Sequence, residues 1–297
     1  MEKEFKGTGV AIITPFTRTG KIDFNSLGNL VEHIIVNKVE FVVALGTTGE
    51  ASTLSHEEQQ QVVDAVKKTV AGRVPVVVGI GGNNTQKIVD KINETDFNGI
   101  QGILSVAPYY NLPNQQGMYE HFSAIAKACP VPVIMYNIPG RSAANISAET
   151  IITLAEEHWN IVAVKEASGN MKQIMTLLRN KPEGFSVLSG DDALTYPMMA
   201  LGADGVISVV ANVYPAAFSG MVRLMEKKKF DDALAIHNSL MDFIEAMLAD
   251  GNPAGVKAAL SKMKMCQNYV RLPLVTVNKE VSQRISKLIE NYEFPLD

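Results

Sequence analysis

"IVAVKEASGN" (161–170) opens with four apolar residues in a row, then sets Lys165 and Glu166 before a small, turn-forming tail. A half-exposed strand alternates apolar and polar residues. A run that is apolar on both faces is covered on both sides, the habit of parallel sheets. A parallel strand cannot return through a tight turn and needs a long crossover, usually a helix. The stretch therefore predicts a strand–helix unit with an ammonium group at the end of a buried strand.

The same pattern recurs along the chain. "GVAIITPF" (9–16), "FVVALG" (41–46), "VPVVVGIG" (74–81), "GILSVA" (102–107) and "VPVIMYNI" (131–138) come before it, and "FSVLSG" (185–190) and "GVISVVA" (205–211) after it. Helix-like stretches lie between. "SHEEQQQVVDAVKKTVAG" (55–72) has Ser55 as N-cap, Glu58 at the third helical position to complete a capping box, and Gly72 as a stop. "SAETIITLAEEHW" (147–159) repeats the device with Ser147, without a glutamate three residues on. Eight such strands, each with a helix candidate, predict an α/β fold, a (β/α)8 TIM barrel over 1–228. Helices are expected at roughly 214–228, 230–250, 253–265 and 280–292, broken by "NPAG" and "RLPL". The first closes the barrel, and the others form a C-terminal helical extension over 229–297.

Bulk properties exclude several classes of function. The 297 residues are 46% hydrophobic and 20% charged, ordinary for a globular chain with a large core. A net charge of −4 argues against a nucleic-acid surface, which is normally basic. No run approaches the ~20 apolar residues of a membrane span, and "MEKEFKGTGV" lacks the apolar stretch of a signal peptide. Cys129 and Cys266 are far apart and read as reduced thiols. The expectation is a cytoplasmic enzyme with neither nucleic-acid nor membrane partners. "GIGGNN" (79–84) lacks the last glycine of a dinucleotide fingerprint, and "HEEQQ" (56–60) lacks the second histidine of a zinc motif. Neither a dinucleotide nor a zinc site is therefore expected. The scattered histidines read as structural or solvated, and Trp159 and the methionines as core filling.

In a barrel of this kind, chemistry collects at the C-terminal ends of the strands. The second strand delivers "GTTGE" (46–50), where Thr47 and Thr48 offer hydroxyl and backbone donors to an anion; a plain turn is the bland alternative. The fourth delivers "APYYN" (107–111), whose tyrosines also suit an interface. The fifth delivers "YNIPGR" (136–141). Tyr136 stands at the mouth if it shares a face with Ile134, and Arg141 on the loop suits a carboxylate, although a lone arginine is usually a solvated charge. On the sixth, alternation puts Ile161, Ala163, Lys165 and Ala167 on one face, and Val162, Val164 and Glu166 on the other. A lysine at a strand end can simply snorkel to water. Buried beside Tyr136, it becomes a nucleophile instead. At a pKa of ~10.4 fewer than about one amine in a thousand is neutral at pH 7, and desolvation raises that fraction about tenfold per unit of downward shift. A neutral amine attacks a ketone carbon to form a Schiff base.

Together "GTTGE", "PYYN", "YNIPGR", "KEASGN" and "SGDD", in this order and spacing, resemble the pyruvate-dependent class I aldolase superfamily over residues from about 8 to 275. Within it, "SVAPYYNLPNQQGMYEHF" and "SGDDALTYPMMALGADGVISVVANVYP" are most similar to the dihydrodipicolinate synthase branch, and Arg141 separates that branch from sialic-acid lyases, which commonly have an apolar residue there. The resemblance implies a role for each matching residue. Lys165 forms an imine and then an enamine with pyruvate, and Tyr136 moves protons. Thr48 and Tyr110 complete a hydroxyl relay, with Tyr110 donated by a neighbouring subunit of a homotetramer. Thr47 and Thr48 hold the pyruvate carboxylate, Arg141 positions L-aspartate 4-semialdehyde, and the backbone at Gly190 and Ile207 lies beside the site. Other pyruvate-dependent aldolases of the superfamily, and a keto-acid binder without catalysis, are the rival readings.

The branch's bacterial members often bind lysine as a feedback inhibitor. The corresponding positions are Ser52, His56, Gln59, Gly81, Asn83, Lys87 and Tyr109. Lys87 stands where a glutamate usually meets the ammonium of lysine. Like charges repel at close range, so feeble inhibition is expected.

Overall fold

The computed structural model describes residues 5–291. Eight strands, β1 (Gly7–Ala11), β2 (Phe41–Ala44), β3 (Val76–Gly79), β4 (Gly102–Val106), β5 (Val133–Asn137), β6 (Ile161–Glu166), β7 (Ser186–Ser189) and β8 (Gly205–Ser208), form a closed barrel in sequence order. The barrel has the parallel sense and the intervening helices expected from the sequence. The helices are α1 (Phe24–Val36), α2 (His56–Val70), α3 (Thr85–Glu94), α4 (Gln115–Ala128), α5 (Pro139–Ser142), α6 (Ala148–Glu157), α7 (Met171–Asn180) and α8 (Thr195–Ala200). After β8 come α9 (Pro215–Glu226), α10 (Phe230–Leu248), α11 (Ala254–Lys262) and α12 (Lys279–Asn291). By their contacts the described residues fall into two compact units, 5–7 with 77–207, and 8–76 with 208–291.

In the first unit, β4 to β7 pair in parallel. One irregularity decides which side chains meet. Val133 pairs with Ile161, but Ile134 pairs with Ala163, so β6 gains a residue and Tyr136 comes to lie opposite Lys165. Uninterrupted pairing would have set Tyr136 opposite Val164, on the other face of the sheet. At the start of β8, Gly205 has φ +148, and a Cβ there would fall 2.0 Å from the Gly7 carbonyl oxygen, so only glycine allows this approach.

Trp159 departs from the sequence reading: it is 82% exposed, not in the core. Its neighbours explain why. Asn160 turns inward and donates to the carbonyls of Ala126 and Cys129, and the His158 ring bonds Ser123, leaving the residue between them on the outside. Among the described residues seven methionines, Met118, Met135 and Met221 included, are buried as expected, whereas Met175 is 47% exposed.

In the second unit, Ser55 and Glu58 form the expected capping box at the start of α2. The helix ends one residue before the expected stop, with Ala71 already left-handed at φ 49. β1 ends at Ala11, short of the apolar run read from the sequence. Beyond it a side chain replaces the neighbouring strand. Asn212 donates to the Ala11 carbonyl at 2.8 Å and accepts from the Ile13 N–H at 3.2 Å.

Candidate active site

Within the first unit, Lys165 and Tyr136 stand at the C-terminal ends of β6 and β5. Both are buried, at 4% and 5% exposure, and the lysine Nζ lies 4.4 Å from the centroid of the tyrosine ring. Two small residues make room for the lysine stem. Ala163 precedes it on the same face, and Gly190 faces it from the end of β7. A Cβ on Gly190 would lie 3.1 Å from both Cγ and Cε of Lys165. Ile207, in β8, is buried at 1% exposure.

The opposite face of the same two strand ends carries a polar network that the motifs alone did not disclose. Glu166 is fully buried and receives only donors: Ser168 N–H at 2.6 Å, Asn137 Nδ2 at 3.0 Å and Gln173 Nε2 at 3.3 Å. Asn137 also donates to Asn145 Oδ1 and accepts the Ile146 N–H at 3.0 Å. Gln115 bonds the backbone of Asn145 and Ser147. The loop from Ile138 to Ser147 is thus tied to the residues that directly follow Tyr136 and Lys165. That loop carries Arg141 on the short helix α5. Arg141 is exposed, and among the described residues no hydrogen bond or ion pair occupies its guanidinium.

The "GTTGE" turn belongs to the second unit. Gly49 N–H donates to Gly46 O, and Glu50 N–H to Thr47 O. No hydrogen bond among the described residues takes the N–H groups of Thr47 or Thr48. Thr47 is exposed, whereas Thr48 is buried at 2% with its hydroxyl accepting from Asn252 Nδ2 at 2.8 Å. An amide pair left open beside hydroxyls suits a carboxylate.

Tyr110 is not brought onto the buried pair: it is 89% exposed, with a left-handed backbone at φ 74. Tyr109 is 44% exposed, and its carbonyl accepts from Asn83 at 3.2 Å. Lys87 is exposed on α3, and Ser52 and His56 are exposed before and at the start of α2. Among the described residues, no three His, Cys, Asp or Glu side chains are grouped to hold a metal ion, and no helix is long and apolar enough to cross a membrane. Cys129 and Cys266 are free thiols, both pushed up to about 11 by burial.

Residues 4–292 match the Dihydrodipicolinate synthetase family. Among curated relatives, the chain is 48% identical over 284 residues to the 4-hydroxy-tetrahydrodipicolinate synthase of Azobacteroides pseudotrichonymphae, a match covering 96% of each chain. To the enzyme of that name from Parabacteroides distasonis it is 45% identical over 284 residues, again 96% of each. Among solved structures, dihydrodipicolinate synthase from Aquifex aeolicus superposes with a TM-score of 0.93 at 42% identity, covering 96% of this chain and 97% of that one. Matching over all but a few residues at either end, and folding as its solved relatives do, the chain belongs to the dihydrodipicolinate synthetase family.

Proposed function

We propose that the chain is a lyase that condenses pyruvate with L-aspartate 4-semialdehyde, the 4-hydroxy-tetrahydrodipicolinate synthase reaction, through a Schiff base on Lys165. The observation that carries this is the burial of Lys165 Nζ 4.4 Å from the Tyr136 ring centroid. The amine attacks the ketone carbon of pyruvate, and the carbonyl oxygen leaves as water. The protonated imine is the electron sink: it makes the methyl group acidic, and Tyr136 carries protons in both steps. The enamine carbon then attacks the aldehyde carbon of the second substrate. Because the imine itself takes up the electron pair, this chemistry asks for no metal or organic cofactor.

Thr47 and Thr48 hold the pyruvate carboxylate, Thr48 also passes protons to Tyr136 and Tyr110, and Gly190 and Ile207 border the substrate. Arg141 meets the carboxylate of the aldehyde, for which its unoccupied planar fork is suited. We place the enzyme in the cytoplasm as a homotetramer in which Tyr110 reaches a neighbouring subunit. Its 89% exposure and left-handed backbone support this, since a tyrosine so held costs about 1–3 kcal/mol unless its setting calls for it. The response to lysine, for which Ser52, His56, Asn83, Lys87 and Tyr109 are the candidate residues, is feeble because Lys87 is a cation.

Reduction with borohydride in the presence of pyruvate tests the central step. A covalent adduct on Lys165, absent from Lys165→Ala, is expected. An unmodified wild-type protein would remove the proposal.

A further inference from the structure

A second lysine is buried more deeply than Lys165. Lys257 of α11 has no exposed surface, and its Nζ donates to Glu50 Oε1 at 2.5 Å and to the Tyr269 carbonyl at 2.8 Å. Glu50 is equally buried, and its other oxygen accepts the Arg271 N–H at 3.0 Å. The ring of Phe16 lies against both cations, 4.1 Å from Lys257 Nζ and 4.5 Å from Arg271 Cζ. The Arg271 guanidinium continues to Glu58, Thr53 O and Gly20 O. Burial pushes the Lys257 amine down, and the Glu50 carboxylate opposes it.

A buried ion pair is a poor device for stability alone, because packed apolar side chains of the same volume serve as well or better. What charges add is direction. Glu50 closes the "GTTGE" turn, in a left-handed conformation at φ 53. Its two predecessors are also held from outside the turn: the Gly49 carbonyl accepts from Thr14 Oγ1 at 2.7 Å, and the Thr48 hydroxyl from Asn252 at 2.8 Å. Three consecutive residues are fixed by separate partners, and the N–H groups of Thr47 and Thr48 remain open. Such fixing is what a carboxylate site built from backbone amides needs, since a turn free to flex loses the convergence of its donors.

We infer that Glu50 and Lys257 are positioning residues for carboxylate capture: their buried ion pair holds the 46–50 turn with the Thr47 and Thr48 amides facing the substrate, an inference that rests on reading this turn as the pyruvate site. Neither touches the reacting atoms.

The test uses the full chain and the variants Glu50→Gln, Lys257→Met and Thr14→Val. Wild-type protein is first trapped with pyruvate and borohydride; lack of an adduct there would overturn the functional reading itself. With the adduct established, Glu50→Gln and Lys257→Met should raise the KM for pyruvate, and the pyruvate needed for half-maximal trapping, by about tenfold or more. Trapping at saturating pyruvate stays complete, and the KM for the aldehyde moves by less than about twofold. Thr14→Val, which removes one hydrogen bond and no charge, should raise pyruvate KM by about threefold. It decides the matter with Glu50→Gln if Lys257→Met does not fold. An unchanged pyruvate KM in folded variants, or an equal rise for both substrates, overturns the inference.

Discussion

Gly190 and Lys165 are in such close approach that a single methyl group on the glycine would press on the lysine stem at two points, 3.1 Å from Cγ and 3.1 Å from Cε, and lie 2.7 Å from Ala167 Cβ. Gly190→Ala should therefore leave a folded barrel with a displaced amine. Overpacking of this kind costs about 1–3 kcal/mol, and a misplacement near 1 Å costs on the order of 100-fold in rate. Rapid-quench borohydride trapping should show adduct formation slowed by about that factor. A wild-type trapping rate would mean that the stem has room the geometry denies it.

The donors around Glu166 make a second prediction. Its three partners all give hydrogens, so Glu166→Gln sets an amide against at least one of them, at a cost of about 1–3 kcal/mol. The melting temperature falls, and because Asn137 and Gln173 also hold the Arg141 loop, the KM for the aldehyde rises by about tenfold. Adding Asn137→Asp reverses the polarity of the same bond, with the introduced amide donating and the introduced carboxylate accepting. The double variant should recover part of both losses and not all, because the introduced aspartate can no longer donate to Asn145 Oδ1. Failure of the pair to do better than the single change would show that the network does not act through this bond.

Most of the barrel can be read in the sequence, because its cause is local. Continuous apolar runs such as Phe41–Ala44 and Ile161–Val164, short and rich in β-branched residues, read as doubly covered strands, and Ser55 with Glu58 announces a helix within four residues. What could not be read depends on distant partners. The extra residue that turns β6 at Val133/Ile134 leaves no mark in composition, yet it decides that Tyr136 meets Lys165 and not Val164. Glu50 and Glu166 both lie inside quoted motifs, but their importance comes from Lys257 and Asn137, which no spacing rule connects to them. Trp159 escapes the general burial of large aromatics because the turn around it is held by its two polar neighbours.

Acid sensitivity should have an identifiable contributor in His121. It is 4% exposed, bonded through Nδ1 to Thr85 at 2.8 Å, and held neutral by burial, which pushes its pKa down to about 4. Between about 6.5 and about 4 the unfolded chain binds a proton that the folded chain refuses, so stability falls as pH drops through that window. The full contribution is present above 6.5, and about 3 kcal/mol is lost by pH 4. His33 and His237, also shifted down by burial, act in the same sense. Urea unfolding at several pH values should give a shallower pH dependence for His121→Gln than for wild type; parallel curves would rule this histidine out.

Charge at position 87 should govern the response to lysine. The exposed Lys87 ammonium would repel the side chain of a lysine molecule brought near it, so inhibition of the wild-type protein should be weak. Lys87→Glu exchanges repulsion for attraction and should lower the half-inhibitory lysine concentration by about tenfold or more. The gain shrinks as salt is added. Equal inhibition of the two proteins would place lysine's contact elsewhere.

The carboxylate of Glu50 finds its amine 207 residues later in the chain, and its backbone donor 221 residues later. A growing polypeptide emerges from the ribosome N-terminus first. Until Lys257 and Arg271 have left the exit tunnel, the turn that follows β2 has nothing to neutralise a charge that the finished fold seals from water. The anchor of that turn is therefore made only after the chain has been synthesised through Arg271, and no nascent fragment ending before α11 can hold it in this way.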